Sequence, residues 1–397
     1  MTDVVSALSI LAVNGGSSTI KFALFAEDDA EHLRGVATGT QTPTATLTIS
    51  TARDAWSSRV EIANAPLPAL VERIIAATES ECHATRLGCI VHRVVHGGER
   101  FNRAQCVTAE VMTALRELIP LAPNHLPDEI ALIEAFMAAK PDVLQIVCFD
   151  TAFHHDLPAV SHTLPVPATA GLRRYGFHGL SYAFLLAELE RLGGNEALGR
   201  VVLAHLGSGA SVAALVGGRC VDTSMGLTPT GGLVMSTRSG DLDPGVIAYL
   251  ARRHGWSLDR VDEALTHESG LFAISGGTAD MKPLLALEAS DPRARLAVDV
   301  FCYQIRKWIG AFAAALGGLD TLVFSGGIGE HAPIVRSRIC KDLAFLGVQL
   351  DDEHNTVNAP TISDPAARVR VRVIPTNEAV MMSREARELL REARAAT

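Results

Sequence analysis

The sequence predicts an α/β protein of two domains, with helices packed on mixed sheets. Three observations carry that prediction. "ILAVNGGSSTIKFALF" (10–25) places a polar Gly/Ser turn between two apolar runs, and "RVVLAHLGSGASVAALVGGRCVD" (200–222) repeats the arrangement about 190 residues later. Apolar residues recur at helical spacing in "VMTALRELI" (111–119), "LSYAFLLAELERLG" (180–193) and the charged tail "NEAVMMSREARELLREARAA" (377–396). A chain of 397 residues also exceeds one ordinary hydrophobic core.

Composition narrows the function classes. Hydrophobic residues make up 48% and charged residues 20%, as in a globular protein. The net charge is −9 with no long basic run, so nucleic acid is not an expected partner. No stretch reaches the roughly 18 apolar residues of a membrane span, so no membrane partner is expected either. The opening "MTDVVSALSILAV" lacks a basic n-region and reads as a first strand, not a leader. Seven scattered cysteines without a C-x-x-C pair fit free thiols in a reducing, cytoplasmic setting.

Each element has a local reason. Ile10 to Val13 and Ile20 to Phe25 read as buried strands, the second broken only by Lys21. The turn between them fits a β-hairpin, for which Asn-Gly is a strong signal. It also fits a phosphate cradle, where small residues let backbone N–H groups close on an anion and Lys21 adds charge. A third apolar run, "LDTLVFSGGIGEHAPIVRSRI" (319–339), ends in Gly326, Gly327 and Gly329 before a helical pattern that Pro333 is suited to open. Three such turns together favour a nucleotide or phosphate cleft between two related halves.

The charged residues point to phosphoryl transfer. "IVHRVVHGGERF" (90–101) sets Arg93 in an apolar β-branched run, where it needs either an anionic ligand or a satisfied salt bridge. "MSTRSGDLDPG" (235–245) supplies Arg238, and "LQIVCFDTAFHHDLP" (144–158) ends a strand on Asp150, a position suited to a magnesium-facing carboxylate. His178 lies in "RRYGFHGLSY", His125 in the Pro-rich "PLAPNHLPDE", and Glu378 opens the last helix in "VIPTNEAVM". His92 and His96, and the adjacent His154 and His155, raise a zinc site, but no H-E-x-x-H helix supports one. Transferring a phosphoryl group requires positioning and charge stabilisation, which arginines, histidines and Gly-rich turns supply.

Taken in order, "NGGSSTIKF", "HRVVHGGERF", "FDTAFH", "YGFHGLSY", "HLGSGAS", "DTSMGLTP", "TRSGDLDPG", "SGGTADM", "GGIGE" and "TNE" resemble the acetate kinase family, of the acetate and sugar kinase/Hsc70/actin superfamily. The resemblance runs from about Ile10 to Glu385. It implies a two-lobed actin-like ATPase fold with duplicated mixed-sheet domains and a cleft between them. The lobes would be residues 1–152, completed by a C-terminal helix over 380–397, and a nucleotide-binding lobe over 153–379. It implies reversible in-line transfer of the ATP γ-phosphate to a short-chain carboxylate, acetate first, giving ADP and an acyl phosphate. Propionate or another short acid is the alternative, and a nucleotide-binding ATPase without acyl transfer is a further one. Mg²⁺ or Mn²⁺ and a homodimer are implied as well.

Carried over by position, Asn14, Ser17, Thr19 and Lys21 resemble the first phosphate loop, and His205, Gly207, Ser208 and Gly209 the second. Gly327, Ile328, Gly329 and Glu330 resemble the adenosine loop, and Asp280, Met281 and Lys282 the adenosine side of the site. Arg93 and Arg238 resemble the acyl phosphate clamp, with His178 stabilising the transferring group and His125 assisting. Asn14, Asp150 and Glu378 would face the metal, while Val95, Asn124, Phe177 and Pro229 would line the acyl pocket. Either arginine is expected to be removable without loss of the fold. The sequence departs from the family where Asn124 replaces a leucine, Ser208 an asparagine and Lys282 an arginine, and where His331 ends the "GIGEN" pattern. These departures bear on the acyl group and on nucleotide preference.

Overall fold

A computed structural model describes residues 8–16, 18–40, 42, 44–51, 57–63, 66–82, 86–167, 171–193 and 196–395. The chain divides into two compact units, Met1–Ala152 with Asn377–Thr397, and Phe153–Thr376.

The first unit holds an eight-stranded mixed sheet. Its strands are β1 (Leu8–Gly15), β2 (Thr19–Phe25), β3 (Glu31–Thr38), β4 (Thr44–Thr51), β5 (Ser57–Ala63), β6 (Arg86–Val94), β7 (Gln105–Cys106) and β8 (Leu144–Phe149), in spatial order β5-β4-β3-β2-β1-β6-β8-β7. Strands β1 and β2 form an antiparallel hairpin that sets Asn14 opposite Lys21, and the turn closes with Gly16 N–H donating to the Thr19 carbonyl at 2.8 Å. The hairpin reading of the opening motif therefore holds, with Lys21 the one exposed residue of β2. Side chains alternate faces along a strand. Leu11, Val13, Ile20, Phe22 and Leu24 bury one face against the helices Leu67–Glu81 and Leu126–Ala139. The helix Glu378–Ala395 packs across β1, β2, β6 and β8. It is pinned by Arg384, whose Nε donates to Asp29 at 2.9 Å, and by Arg387, which bonds the Ala26 carbonyl.

The second unit holds a five-stranded sheet of β9 (Arg200–Leu206), β10 (Ala210–Val216), β11 (Arg219–Thr223), β12 (Thr321–Ser325) and β13 (Arg370–Val373), ordered β11-β10-β9-β12-β13. β9, β10 and β12 are almost wholly buried, as strands covered on both faces must be. Helix Gly179–Leu192 and the 24-residue helix Pro292–Ala315 pack against β9.

The duplication suggested by the repeated turns is present in the topology. In each unit an antiparallel three-strand meander is followed by two strands parallel to its first member, β3-β2-β1-β6-β8 in one and β11-β10-β9-β12-β13 in the other. The first unit adds β4 and β5 at one edge and β7 at the other. The predicted helices are found at Ala109–Glu117, Gly179–Leu192 and Glu378–Ala395, and Pro333 opens the helix Pro333–Cys340. All seven cysteines are free thiols. No helix among the described residues is long and apolar enough to cross a membrane.

The C-terminal helix carries Glu385, whose Oε2 is buried and has no hydrogen-bond partner among the described residues. Burial raises its carboxyl to about 7, with Glu388 and Asp150 adding to the rise and the Cys148 thiol opposing it. A carboxyl raised in the folded state is more easily protonated there than in the unfolded chain. Its ionisation therefore removes stability as pH climbs from the unfolded value near 4.5 to about 7. Glu385→Gln is expected to raise stability by about 2–3 kcal/mol above pH 7 and to lose that advantage below pH 4.5. Paired urea titrations of the native protein and the variant at pH 5 and 8 check this. An advantage equal at both pH values contradicts it.

Candidate active site

In the first unit the predicted residues converge on one charge cluster. Arg93 stands near the end of β6, and Asp150 follows the last residue of the neighbouring β8. Parallel pairing of these strands brings their ends together, so Arg93 Nη2 donates to Asp150 Oδ2 at 2.5 Å. Arg93 Nη1 donates to Glu129 Oε1 at 3.1 Å, and Glu129 Oε2 accepts the Val95 N–H at 3.0 Å. The salt-bridge reading of Arg93 is thus observed at both terminal nitrogens, while its buried Nε has no hydrogen-bond partner among the described residues. Burial opposes its charge, but Asp150, Glu129 and Glu378 outweigh burial and hold the guanidinium charged. Burial also lifts Glu129 above the ordinary carboxylate range, against the pull of Arg93 and the Val95 N–H.

This bears on the expectation that Arg93 can be removed without loss of the fold, because its removal now carries a cost in stability. Asp150 and Glu129 are each almost completely buried, so removing Arg93 strands two carboxylates away from water.

Glu378, the first residue of the last helix, accepts from Asn14 Nδ2 at 2.9 Å. Burial raises its carboxyl, with Asp150 adding to the rise while Arg93, Lys21 and Asn14 oppose it. Two cations, Arg93 and Lys21, thus act on three acidic groups, two of which burial makes easier to protonate. His125 is not a loop residue but the N-cap of helix Leu126–Ala139, whose first turn carries Glu129 to Arg93. Val95 is buried and Asn124 half-buried. Thr19 opens β2, and Ser17 lies outside the described residues.

Magnesium takes hard oxygen ligands and usually keeps substrate oxygens and waters among them. Asp150 and Glu378 fit that chemistry, lying close enough for one to raise the other's pKa. Among the described residues no three His, Cys, Asp or Glu side chains form a metal cage, so a divalent ion here would draw most ligands from elsewhere.

The second unit gathers another set. The turn after β9 (Leu206–Ala210) places Gly209 beside two side-chain nitrogens. A Cβ built there would lie 3.3 Å from His178 Nε2 and 3.7 Å from Arg238 Nη1. Ser208 fixes the Arg238 loop by accepting the Ser236 N–H at 3.1 Å. Arg238 Nη1 also donates to the carbonyl of Pro229, a buried residue, at 3.2 Å. His178 and His205 stack with ring centroids 4.3 Å apart. A Cβ built on Gly207 would lie 3.9 Å from His205 Nε2. Phe177 is fully buried, and its carbonyl pairs with His154 Nε2 at 3.0 Å.

The "GGIGE" segment is not a loop. Gly326–His331 forms a short helix that includes Gly327, Ile328 and Gly329. Gly326 has φ 76°, and a Cβ there would fall 2.7 Å from the Leu206 carbonyl oxygen, so only glycine fits. The Glu330 carboxylate turns inward, accepting from Gly326 N–H at 2.8 Å and Thr376 N–H at 3.2 Å. Both bonds are made by Oε1, which ties the segment to the residue before Asn377. Asp280 stands at the N-cap position of the helix Met281–Leu287 without a side-chain capping bond; Met281 is buried and Lys282 exposed.

The histidines that raised a zinc site make protein contacts. His92 Nε2 pairs with Gln145 at 2.7 Å, and burial pushes its pKa down to about 4. His96 Nδ1 accepts the Gly98 N–H at 2.9 Å, and His154 Nδ1 meets Cys220 Sγ at 3.3 Å.

Sequence reasoning missed Glu129, Ser211, Tyr182, Ser181 and Thr376. Glu129 reads as an acidic residue favourable to a helix start, since Pro127 and Asp128 precede it. Ser181 Oγ lies 2.8 Å from both His205 Nδ1 and Thr376 Oγ1, a link between residues 195 positions apart that no local pattern announces.

Known proteins share this arrangement over nearly the whole chain. Residues 9–384 match the model of the acetokinase family. An acetate kinase of Rhodopseudomonas palustris (strain TIE-1) is 42% identical over 387 residues, covering 94% of this chain and 96% of that protein. The crystal structure of a propionate kinase from Francisella tularensis subsp. tularensis SCHU S4 matches with TM-score 0.90 and 33% identity, covering 95% of this chain and 98% of that one. The crystal structure of Porphyromonas gingivalis acetate kinase matches with TM-score 0.86 and 32% identity, covering 97% and 100%. The motifs, the doubled sheet topology and these full-length similarities agree on one conclusion: the chain belongs to the acetokinase family.

Proposed function

We propose that this protein is an acyl kinase that reversibly transfers the γ-phosphoryl group of ATP to a short-chain carboxylate, acetate first and propionate as the alternative. The observation that carries the reading is the placement of His178 Nε2 and Arg238 Nη1 over the bare backbone of Gly209. Two N–H-bearing groups beside a residue without a side chain suit the oxygens of a phosphoryl group.

The carboxylate substrate is ionised at neutral pH, with a pKa of about 4 by analogy with Asp and Glu. No base is needed. One carboxylate oxygen forms a bond to the γ-phosphorus, the bond from that phosphorus to the bridging oxygen breaks, and ADP leaves with the electron pair. The protein's task is to let two anions approach. Arg93 and Arg238 offset that charge, His178 donates to an equatorial oxygen, and His125 assists. Asn14, Thr19 and Lys21, with Ser17, would contact phosphates, as would the His205 to Gly209 turn. Gly327, Ile328, Gly329, Asp280, Met281 and Lys282 would border the nucleoside, and Val95, Asn124, Phe177 and Pro229 the acyl group. Asp150 and Glu378, with Asn14, would hold Mg²⁺ or Mn²⁺. That ion, when bound, offsets charge on the nucleotide phosphates. The same reading makes the protein a cytoplasmic homodimer, in keeping with seven free thiols and with the family resemblance.

The direct test is trapping of acyl phosphate as hydroxamate from acetate, propionate and a hydroxylated acid, each with ATP, GTP or pyrophosphate. Product from acetate or propionate with ATP is expected, and none from any pairing refutes the reading. Arg238→Ala should lower kcat by about 10² or more, and Arg238→Lys should not restore it, because an ammonium lacks the guanidinium fork. Arg93→Ala should lose activity similarly and also about 3–5 kcal/mol of stability through its stranded carboxylates. Steady-state rates with urea midpoints separate the two effects; near-native turnover in either alanine variant sinks the mechanism.

Asn124 bears on the acyl group. If it faces that group, Asn124→Leu should improve kcat/KM for propionate more than for a hydroxylated acid, since burying a leucine contributes roughly 1–3 kcal/mol. An equal change for all three acids means position 124 does not read the substrate.

A further inference from the structure

His178 holds a backbone conformation that residues with a Cβ rarely adopt, φ 59° and ψ 26°, immediately before helix Gly179–Leu192. That conformation places the ring between β9 and the turn that follows it, stacked on His205. The ring is then fixed from behind. Its Nδ1 lies 2.8 Å from Ser211 Oγ, and Ser211 Oγ lies 2.5 Å from Tyr182 Oη. Ser211 and Tyr182 are both 0% exposed, so water cannot substitute for either partner.

The direction of this chain of bonds decides where the imidazole carries its hydrogen. A serine hydroxyl alone is ambiguous, because it can donate to Nδ1 or accept from Nδ1–H. Tyr182 removes the ambiguity. Its hydroxyl is fully buried and Ser211 Oγ is its one hydrogen-bond partner seen among the described residues, so its hydrogen is directed to Ser211 Oγ. Ser211, accepting from tyrosine, passes its hydrogen to Nδ1. An imidazole that accepts at Nδ1 carries its hydrogen on Nε2. Nε2 is the atom that faces Gly209.

We propose that Tyr182 and Ser211 are positioning residues that hold His178 as the Nε2–H tautomer and aim that N–H at an oxygen of the phosphoryl group in transfer. The inference rests on the reading of His178 as a contact to that group. Neither residue touches substrate. Ser211 sets the ring's orientation and supplies the hydrogen bond, while Tyr182 sets only its direction.

The two substitutions should therefore differ. Ser211→Ala is expected to lower kcat roughly 10–100-fold, the range seen when the partner that fixes a functional imidazole is lost. The KM values for ATP and carboxylate should hardly move, and Ser211→Thr should retain most of the rate. Tyr182→Phe keeps the ring in its packing and should lower kcat less, while letting Ser211 turn and the imidazole populate both tautomers. Nitrogen NMR of ¹⁵N-histidine-labelled full-length protein reads this directly, with His178 assigned by its absence in His178→Ala. The native spectrum should show a pyrrole-type Nε2 and a pyridine-type Nδ1, and Tyr182→Phe a mixture. A native Nδ1–H, or native turnover in both Ser211→Ala and Tyr182→Phe while His178→Ala is inactive, overturns the inference alone. Native turnover in His178→Ala overturns it together with the role of His178. Thermal melts identify any variant that fails to fold, and the native tautomer remains decisive if Ser211→Ala is one of them.

Discussion

A guanidinium taken out of water must have its counter-charge in place, and much of the first unit is arranged around that requirement at Arg93. β6 carries the arginine, β8 delivers Asp150, helix Leu126–Ala139 delivers Glu129, and the last helix adds Glu378. Elements from distant parts of the sequence meet because one buried cation needs them. The same cluster explains why structural and chemical roles cannot be separated there. Asp150 is at once the partner of Arg93 and the proposed ligand of a divalent ion.

The second unit solves a comparable problem with neutral groups. His178 is held by the Ser211 hydroxyl, itself bonded to Tyr182, and Glu330 accepts from the backbone N–H groups of Gly326 and Thr376. Fixed dipoles of this kind need no reorganisation when charge develops on a substrate. The proposed site residues of one unit are thus held mainly by ion pairs, and those of the other mainly by oriented hydrogen bonds.

Much of this was legible in the sequence. Strands such as Ile10–Val13 declare themselves by apolar runs ended by glycine. The repeat of "NGGSST" by "HLGSGAS" anticipated the doubled sheet because a tight hairpin needs small residues wherever it occurs. The site was legible where a charge stood in an apolar run, as at Arg93, or at a strand end, as at Asp150. It was illegible where a residue's role depends on pairing across the fold. Glu129 looks like helix-start chemistry, and Ser211 looks like one more small residue in a strand. The glycines of "GGIGE" read as a loop because glycine usually breaks helices, yet Gly326 is needed for its φ and the next residues wind into a helix behind it.

The first unit takes its covering helix from the far end of the chain, and synthesis runs in one direction. Residues 153–376, the whole of the second unit, leave the ribosome before Glu378 exists. Until then the sheet face that carries Cys148 lacks its helix, and Asn14 lacks the carboxylate it donates to. Contacts spanning 364 residues are slow to close. The nascent chain therefore carries every residue of the second unit while the sheet of the first still lacks its covering helix.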